Sequence, residues 1–303
     1  PCSNPELVAA VSAAGAIGIV QPLSLSYVHG HEFREGLRLI RGLTDRPIGV
    51  NLIIEQSSRT YLKRVHQWLD IALEERLPIL VTALGNPRWV VERAAPAGVT
   101  VFHDVISRKW ADKALDAGVD GFICVNNCAG GHAGSLSPQQ LLDEIGPLGK
   151  PLVCAGVIGT AETFAEVMAM GYAGAQLGSR FIATTECHAH GDYKRAIVRA
   201  GEHDIVLSEK ITGVPVSVIN TPYIESMGTQ AGAFAKWMLR GRKRKHWMRT
   251  LYSLQSIWKL KRASLQGMSY RDIFQAGKSV EGIHAIKPAG EVVAEFAAAW
   301  HKQ

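Results

Sequence analysis

Seven short apolar runs rich in β-branched residues, each separated from the next by a stretch of helical periodicity, constrain this chain more than any other feature. The runs are Ile17–Val20, Ile48–Ile54, Pro78–Leu84, Val99–Val105, Gly121–Val125, Pro151–Gly156 and Ala173–Gly178. Amphipathic segments precede and separate them: "NPELVAAVSAAG" with Pro5 in its first turn, "SRKWADKALDAG" with Ser107 as N-cap, and "TAETFAEVMAMG" with Thr160 as cap and Gly171 as stop. Strands alternating with helices of this length build βαβ units on a parallel sheet.

Seven strands fall one short of a closed barrel. The sequence enters a helix almost at once, so the expected fold is a (β/α)8 TIM barrel whose first strand is missing or upstream. Residues 1–225 are read as the barrel, 226–272 as a basic helical insertion, and 273–303 as a segment returning to the barrel. A doubly wound open sheet is the alternative, but no G-x-G-x-x-G follows the first strand.

The formal net charge of +6 is concentrated in one place. Between Ser226 and Arg271 there are eleven Lys or Arg and no acid, which leaves 22 of the 33 basic residues to set against all 27 acidic ones. The segment "KWMLRGRKRKHWMRT" therefore reads as a lid, a homodimer contact or another partner-facing surface. Without a helix–turn–helix, zinc or OB pattern it does not argue for nucleic acid. No apolar run approaches the roughly 20 residues of a membrane span, and no signal peptide opens the sequence. Five cysteines without a C-x-x-C pair suit free thiols in a reducing cytoplasm, and no spacing demands a metal.

In a barrel, functional residues gather at the C-terminal ends of the strands. That rule selects Asn51, His103 and Asp104, the stretch Asn126 to His132, Gly156 and Gly178. "VNNCAGGHAG" sets His132 among glycines and alanines, where another group can come close. The "AGVIGTAETF" and "QLGSRFIATTE" stretches put flexible backbone ahead of helix N-termini in consecutive units, the arrangement of a phosphate site, with Ser179 adding a hydroxyl. His188 and His190 are expected to cap or pack.

These motifs together, "CAGGHAG", "VCAGVIGTAETFAEVMAMGYAGAQLGSRFIATTE", "PIGVN" and the late "QAGKSVEGIHAIKPAGEVV", resemble the nitronate monooxygenase family, formerly 2-nitropropane dioxygenases. The resemblance implies an FMN-binding TIM barrel and an oxidoreductase. Gly156, Val157, Gly178 and Ser179 would hold the phosphate, with Gln176 and Leu177 in the same cofactor-binding stretch. Asn51 matches an asparagine near the flavin, Gly130 a glycine packed close to it, and His132 the active-site histidine.

Departures accompany the matches. Val157 stands where glycine is usual, Cys128 where glutamate is, and Val125 where glutamine is frequent, so that Asn126 or Asn127 becomes the substitute flavin contact. Lys278, in "AGKS", is either a charge near the flavin or a surface lysine.

The implied function is FMN-dependent oxidation of alkyl nitronates with O2, His132 acting as base or as hydrogen-bond donor to the nitro group. The alternative is an FMN-dependent NAD(P)H reductase of a quinone or enoyl thioester. A barrel that binds without catalysis is the third reading.

Overall fold

The computed structural model describes residues 2–55, 58–211, 214–230 and 273–300. Seven strands form one sheet in chain order: β1 Gly18–Val20, β2 Ile48–Ile53, β3 Ile79–Ala83, β4 Thr100–Val105, β5 Gly121–Val125, β6 Leu152–Ala155 and β7 Gly174–Gln176. Every pairing is parallel and sequential. The sheet curls as a (β/α)8 barrel does, with seven of the eight strands among the described residues, where β1 and β7 do not pair. Each expected run contains its strand, with one to three residues trimmed where the two differ. The expected insertion lies outside the described residues beyond 230.

Helices α1 Pro5–Ala13, α2 Phe33–Leu43, α3 Arg59–Glu74, α4 Arg88–Ala94, α5 Arg108–Asp116, α6 Pro138–Ile145 and α7 Ala161–Met170 flank the strands. Their ends follow local chemistry. Thr160 Oγ1 accepts from the Thr163 N–H at 3.2 Å, and Gly171 ends α7 at φ +111°, a conformation open to glycine. Ser107 occupies the N-cap of α5 but its side chain makes no capping bond, so the expectation there holds for position and not for chemistry.

Strand side chains alternate between two faces. Val50, Leu52, Leu80, Val101, Phe122 and Cys154 pack outward against the helices in the main core. Val81, Ile123 and Ala155, joined by Ile19, Phe102 and Val125, form a separate cluster inside the curl. This parity fixes the direction of the polar strand residues. Asn51, Asp104 and Gln176 fall on the inner face, His103 on the outer.

After β7 come α8 Ser179–Ile182 and α9 Gly191–Arg199, the latter capped by His190, whose Nδ1 accepts from the Asp192 N–H at 3.2 Å. An antiparallel hairpin follows, β8 Ile205–Ser208 and β9 Val216–Ile219, then α10 Pro222–Met227. This hairpin was not expected from the sequence. Its strands are only four residues each; β8 is buried only at Ser208, and β9, though buried throughout, has Ser217 within its apolar run. The last helix described, α11 Ala289–Trp300, lies on α7, with Phe296 stacked on Phe164 at 5.4 Å between ring centroids.

Removing the α7 cap tests this account of local structure. Thr160→Ala should lower unfolding stability by about 1 kcal/mol in a denaturant titration, the usual worth of an N-cap hydroxyl.

Candidate functional site

The site begins at Asn126, the residue after β5, which is completely buried. Its N–H donates to the Ala155 carbonyl at 3.0 Å, carrying the ladder one residue past the strand. Its Oδ1 accepts from the Cys128 N–H at 2.9 Å, and its carbonyl accepts from the N–H groups of Ala129 and Gly134, both at 3.2 Å. Its Nδ2 donates to Cys154 Sγ at 3.4 Å. One residue thus closes the loop 126–134 upon itself and leaves His132 exposed at its crest. The Oδ1 and carbonyl of Asn126 are committed to that loop.

Two other segments clamp the loop. Ser217 on β9 donates its N–H to the Gly131 carbonyl at 2.8 Å. From the returning segment, Lys278 N–H donates to the Cys128 carbonyl at 2.9 Å, and Gly277 N–H to Ser179 Oγ at 3.0 Å. A Cβ on Gly277 would lie 2.6 Å from Gly130 N, and one on Gly130 would lie 3.0 Å from Gly277 N. The bareness of Gly130 therefore admits the returning backbone. At Gly131, with φ +70°, nothing among the described residues lies within 4 Å of an added Cβ. Lys278 is exposed beside Cys128, whose thiol is pushed up by burial, with Lys278 pulling weakly the other way. A thiol in that state is a poor nucleophile.

The loops after β6 and β7 depart in part from the phosphate-site expectation. The N–H groups of Gly159 and Thr160 both donate to Thr163 Oγ1, at 3.3 and 3.1 Å, so the start of α7 satisfies itself. Gly159 is also covered by the Ser279 carbonyl. The N–H groups of Val157 and Gly178 have no acceptor among the described residues, and Gly178 is open around its Cα.

Gly156, at φ +114°, has Asn126 Oδ1 and the Ala129 backbone where a Cβ would be. Val157 follows at φ +67°, a left-handed conformation that costs a β-branched residue at least 1–2 kcal/mol by order of magnitude. The side chains of Val157 and Leu177 pack into the helix-facing core, leaving their backbone to serve the site, while Gln176 faces inward.

Inside the curl, Asn51 Oδ1 and Asp104 Oδ1 are buried without a hydrogen-bond partner among the described residues. Burial alone pushes the Asp104 carboxyl from 3.8 up to about 7. Neighbouring His103 points the other way, sits 2.8 Å through Nδ1 from Thr82 Oγ1, and is pushed down to about 4 by burial. The sequence selected both as strand-end residues. Only strand parity, once the inner face is known, separates the pocket carboxyl from the structural imidazole. Among the described residues no three His, Cys, Asp or Glu cluster as metal ligands would, and no helix is long and apolar enough to cross a membrane.

The nitronate monooxygenase family profile matches residues 2–298. The chain belongs to that family. A curated relative from Rhodococcus jostii (strain RHA1), (3aS,4S,5R,7aS)-5-hydroxy-7a-methyl-1-oxo-octahydro-1H-indene-4-carboxyl-CoA dehydrogenase, is 28% identical over 226 residues, covering 74% of this chain and 62% of the relative. A dehydrogenase of the same name from Mycobacterium tuberculosis (strain ATCC 25618 / H37Rv) is 64% covered, so the chain spans just under two thirds of both proteins. A probable nitronate monooxygenase of Staphylococcus saprophyticus is 27% identical over 268 residues, with 74% of each chain covered. Among solved structures, FabK from Thermotoga maritima superposes with a TM-score of 0.80 at 26% identity, covering 99% of this chain and 90% of that one.

Two outcomes follow from the site's packing. Gly277→Ala should cost roughly 1–3 kcal/mol of stability, as overpacking against backbone does, and should speed proteolytic cleavage within 126–134. The Asp104 value in the folded protein lies above its ordinary value, so folding takes up a proton. Its contribution is full below about pH 4 and is lost as pH rises to about 7, on the order of a few kcal/mol in the ligand-free protein. Because His103 runs in the opposite direction, the check is the difference between wild type and Asp104→Asn across that pH range.

Proposed function

We propose that this protein oxidises alkyl nitronates with FMN and O2 as co-reactants, His132 serving as base or as hydrogen-bond donor to the nitro oxygens. The observation that carries the reading is the placement of His132 on a loop tied at Asn126, Gly131 and Cys128 to three different parts of the fold. That loop stands at the mouth of a curled sheet whose inner face holds polar atoms without a partner among the described residues. Membership of the nitronate monooxygenase family supports the same chemistry.

The residues present fit an FMN. The N–H groups of Val157 and Gly178 have no acceptor among the described residues, and Ser179 Oγ, which accepts from Gly277, still has its own proton to donate to a phosphate. Asn51 offers an orphaned Oδ1 from β2, and Gln176 an inward amide from β7. When bound, FMN supplies the electron acceptance that no side chain of this chain offers. The strain at Val157 is consistent with such a site, since a left-handed turn aims its N–H where an extended strand would not.

An imidazole is matched to either of its roles. For a neutral nitroalkane, His132 takes the proton from the carbon beside the nitro group, a task suited to a base that titrates near neutrality. For a substrate that arrives as a nitronate anion, the same ring donates a hydrogen bond to an oxygen.

A second reading, an NAD(P)H-dependent reductase of a quinone or enoyl thioester, is favoured by one comparison. The FabK likeness extends over 99% of this chain. The two separate cleanly in an anaerobic cuvette. Nitronate alone should bleach the flavin band of the purified protein, and His132→Ala should slow that bleaching by about 10²–10⁴-fold. Bleaching by NADH or NADPH and not by nitronate would transfer the protein to the reductases.

A further inference from the structure

We propose that Asp104 is a substrate-contacting residue of this pocket, presenting its carboxyl group as a hydrogen-bond donor to a planar oxyanion of the ligand. The inference rests on reading the inner face of the curl as the oxidoreductase's pocket, and it deepens that reading by naming the group the pocket grips.

Three observations carry it. Asp104 belongs to the inner face of β4, where its Oδ1 is buried and has no partner among the described residues. A carboxyl kept only for folding would be expected to have acquired one, since an unmatched buried polar group costs free energy. Second, the end of β4 adjoins the histidine loop. Ile106, two residues on and of the same parity, has its Cβ 3.3 Å from where a Cβ on Gly134 would lie. Third, Asn51 presents from β2 a second buried oxygen that no described residue meets.

The chemistry of the carboxyl selects the ligand. A charged, unpaired carboxylate would repel an anion; a protonated one offers an O–H. Burial keeps the Asp104 proton near neutral pH, with no neighbouring charge contributing. A neutral acid in an apolar setting is an established way of donating to an oxyanion. The oxyanion is that of a nitronate in the proposed reaction, and the enolate oxygen of a thioester presents the same chemistry.

The test uses the purified full-length protein with Asp104→Asn and Asp104→Leu. Two probes, propionate as an unreactive planar isostere of a nitronate and butyryl-CoA for the thioester source, are titrated by calorimetry, and each protein is melted without ligand. Asparagine keeps a donor, so Asp104→Asn should bind within a few-fold of wild type. Leucine has none, so Asp104→Leu should lose roughly 10- to 100-fold in affinity for whichever probe the wild type binds. Both variants should melt at or above the wild-type temperature, because each removes an unpartnered buried acid. Wild-type affinity in Asp104→Leu, coupled to a lower melting temperature, would make Asp104 a structural residue and overturn the proposal, as would a wild type that binds neither probe. An Asp104-dependent affinity in a protein whose flavin nitronate does not bleach would leave this inference standing and remove the nitronate reading alone.

Discussion

One buried asparagine organises the functional end of this molecule. Asn126 prolongs β5 by one ladder bond, then spends its side chain and carbonyl on folding the next eight residues back over the strand. The close approach of Gly156 makes this work, because any Cβ there would displace Asn126 Oδ1 and the Ala129 backbone. Each hydrogen bond is worth only about 1 kcal/mol net, but breaking the set would leave several buried groups unsatisfied at once. The loop is held by the penalty for opening it more than by any single attraction.

That economy contrasts with the inner face. The hub satisfies its donors on β6 and its acceptors within the loop, while Asn51 and Asp104 have buried oxygens that no described residue meets. Val157 adds a backbone conformation unfavourable to its own side chain. Folding alone rewards none of these features. They are concentrated near the strand ends, where a ligand can offset their cost, and the surrounding core is large enough to hold them in place.

Much of the barrel was legible because its strands are buried on both faces, which leaves runs such as "IGVNLII" and "GFICV" unmistakably apolar. Caps at Thr160, Gly171 and His190 were legible for a similarly local reason. What the sequence concealed were relations between distant residues. The glycine at 130 suggested room for a ring, yet the returning backbone approaches it, a contact invisible without coordinates. At the start of α7 the N–H groups of Gly159 and Thr160 are taken by Thr163, four and three residues on. His103 and Asp104 are adjacent in sequence and opposite in role, and strand alternation predicts that they diverge without saying which one turns inward. Strands of only four residues, as in the β8–β9 hairpin, carry too weak a pattern to be read at all.

The returning segment also sets an order of assembly. The seven strands pair only with their sequence neighbours, so the sheet can grow as the chain lengthens. The histidine loop cannot be completed on the same schedule, because Cys128 waits for Lys278 and Ser179 for Gly277, 98 residues later. Long loops must close before those bonds form, and their entropy is paid late. During synthesis the parallel sheet therefore precedes the clamp on the histidine loop, which closes only once residues 277 and 278 have been made.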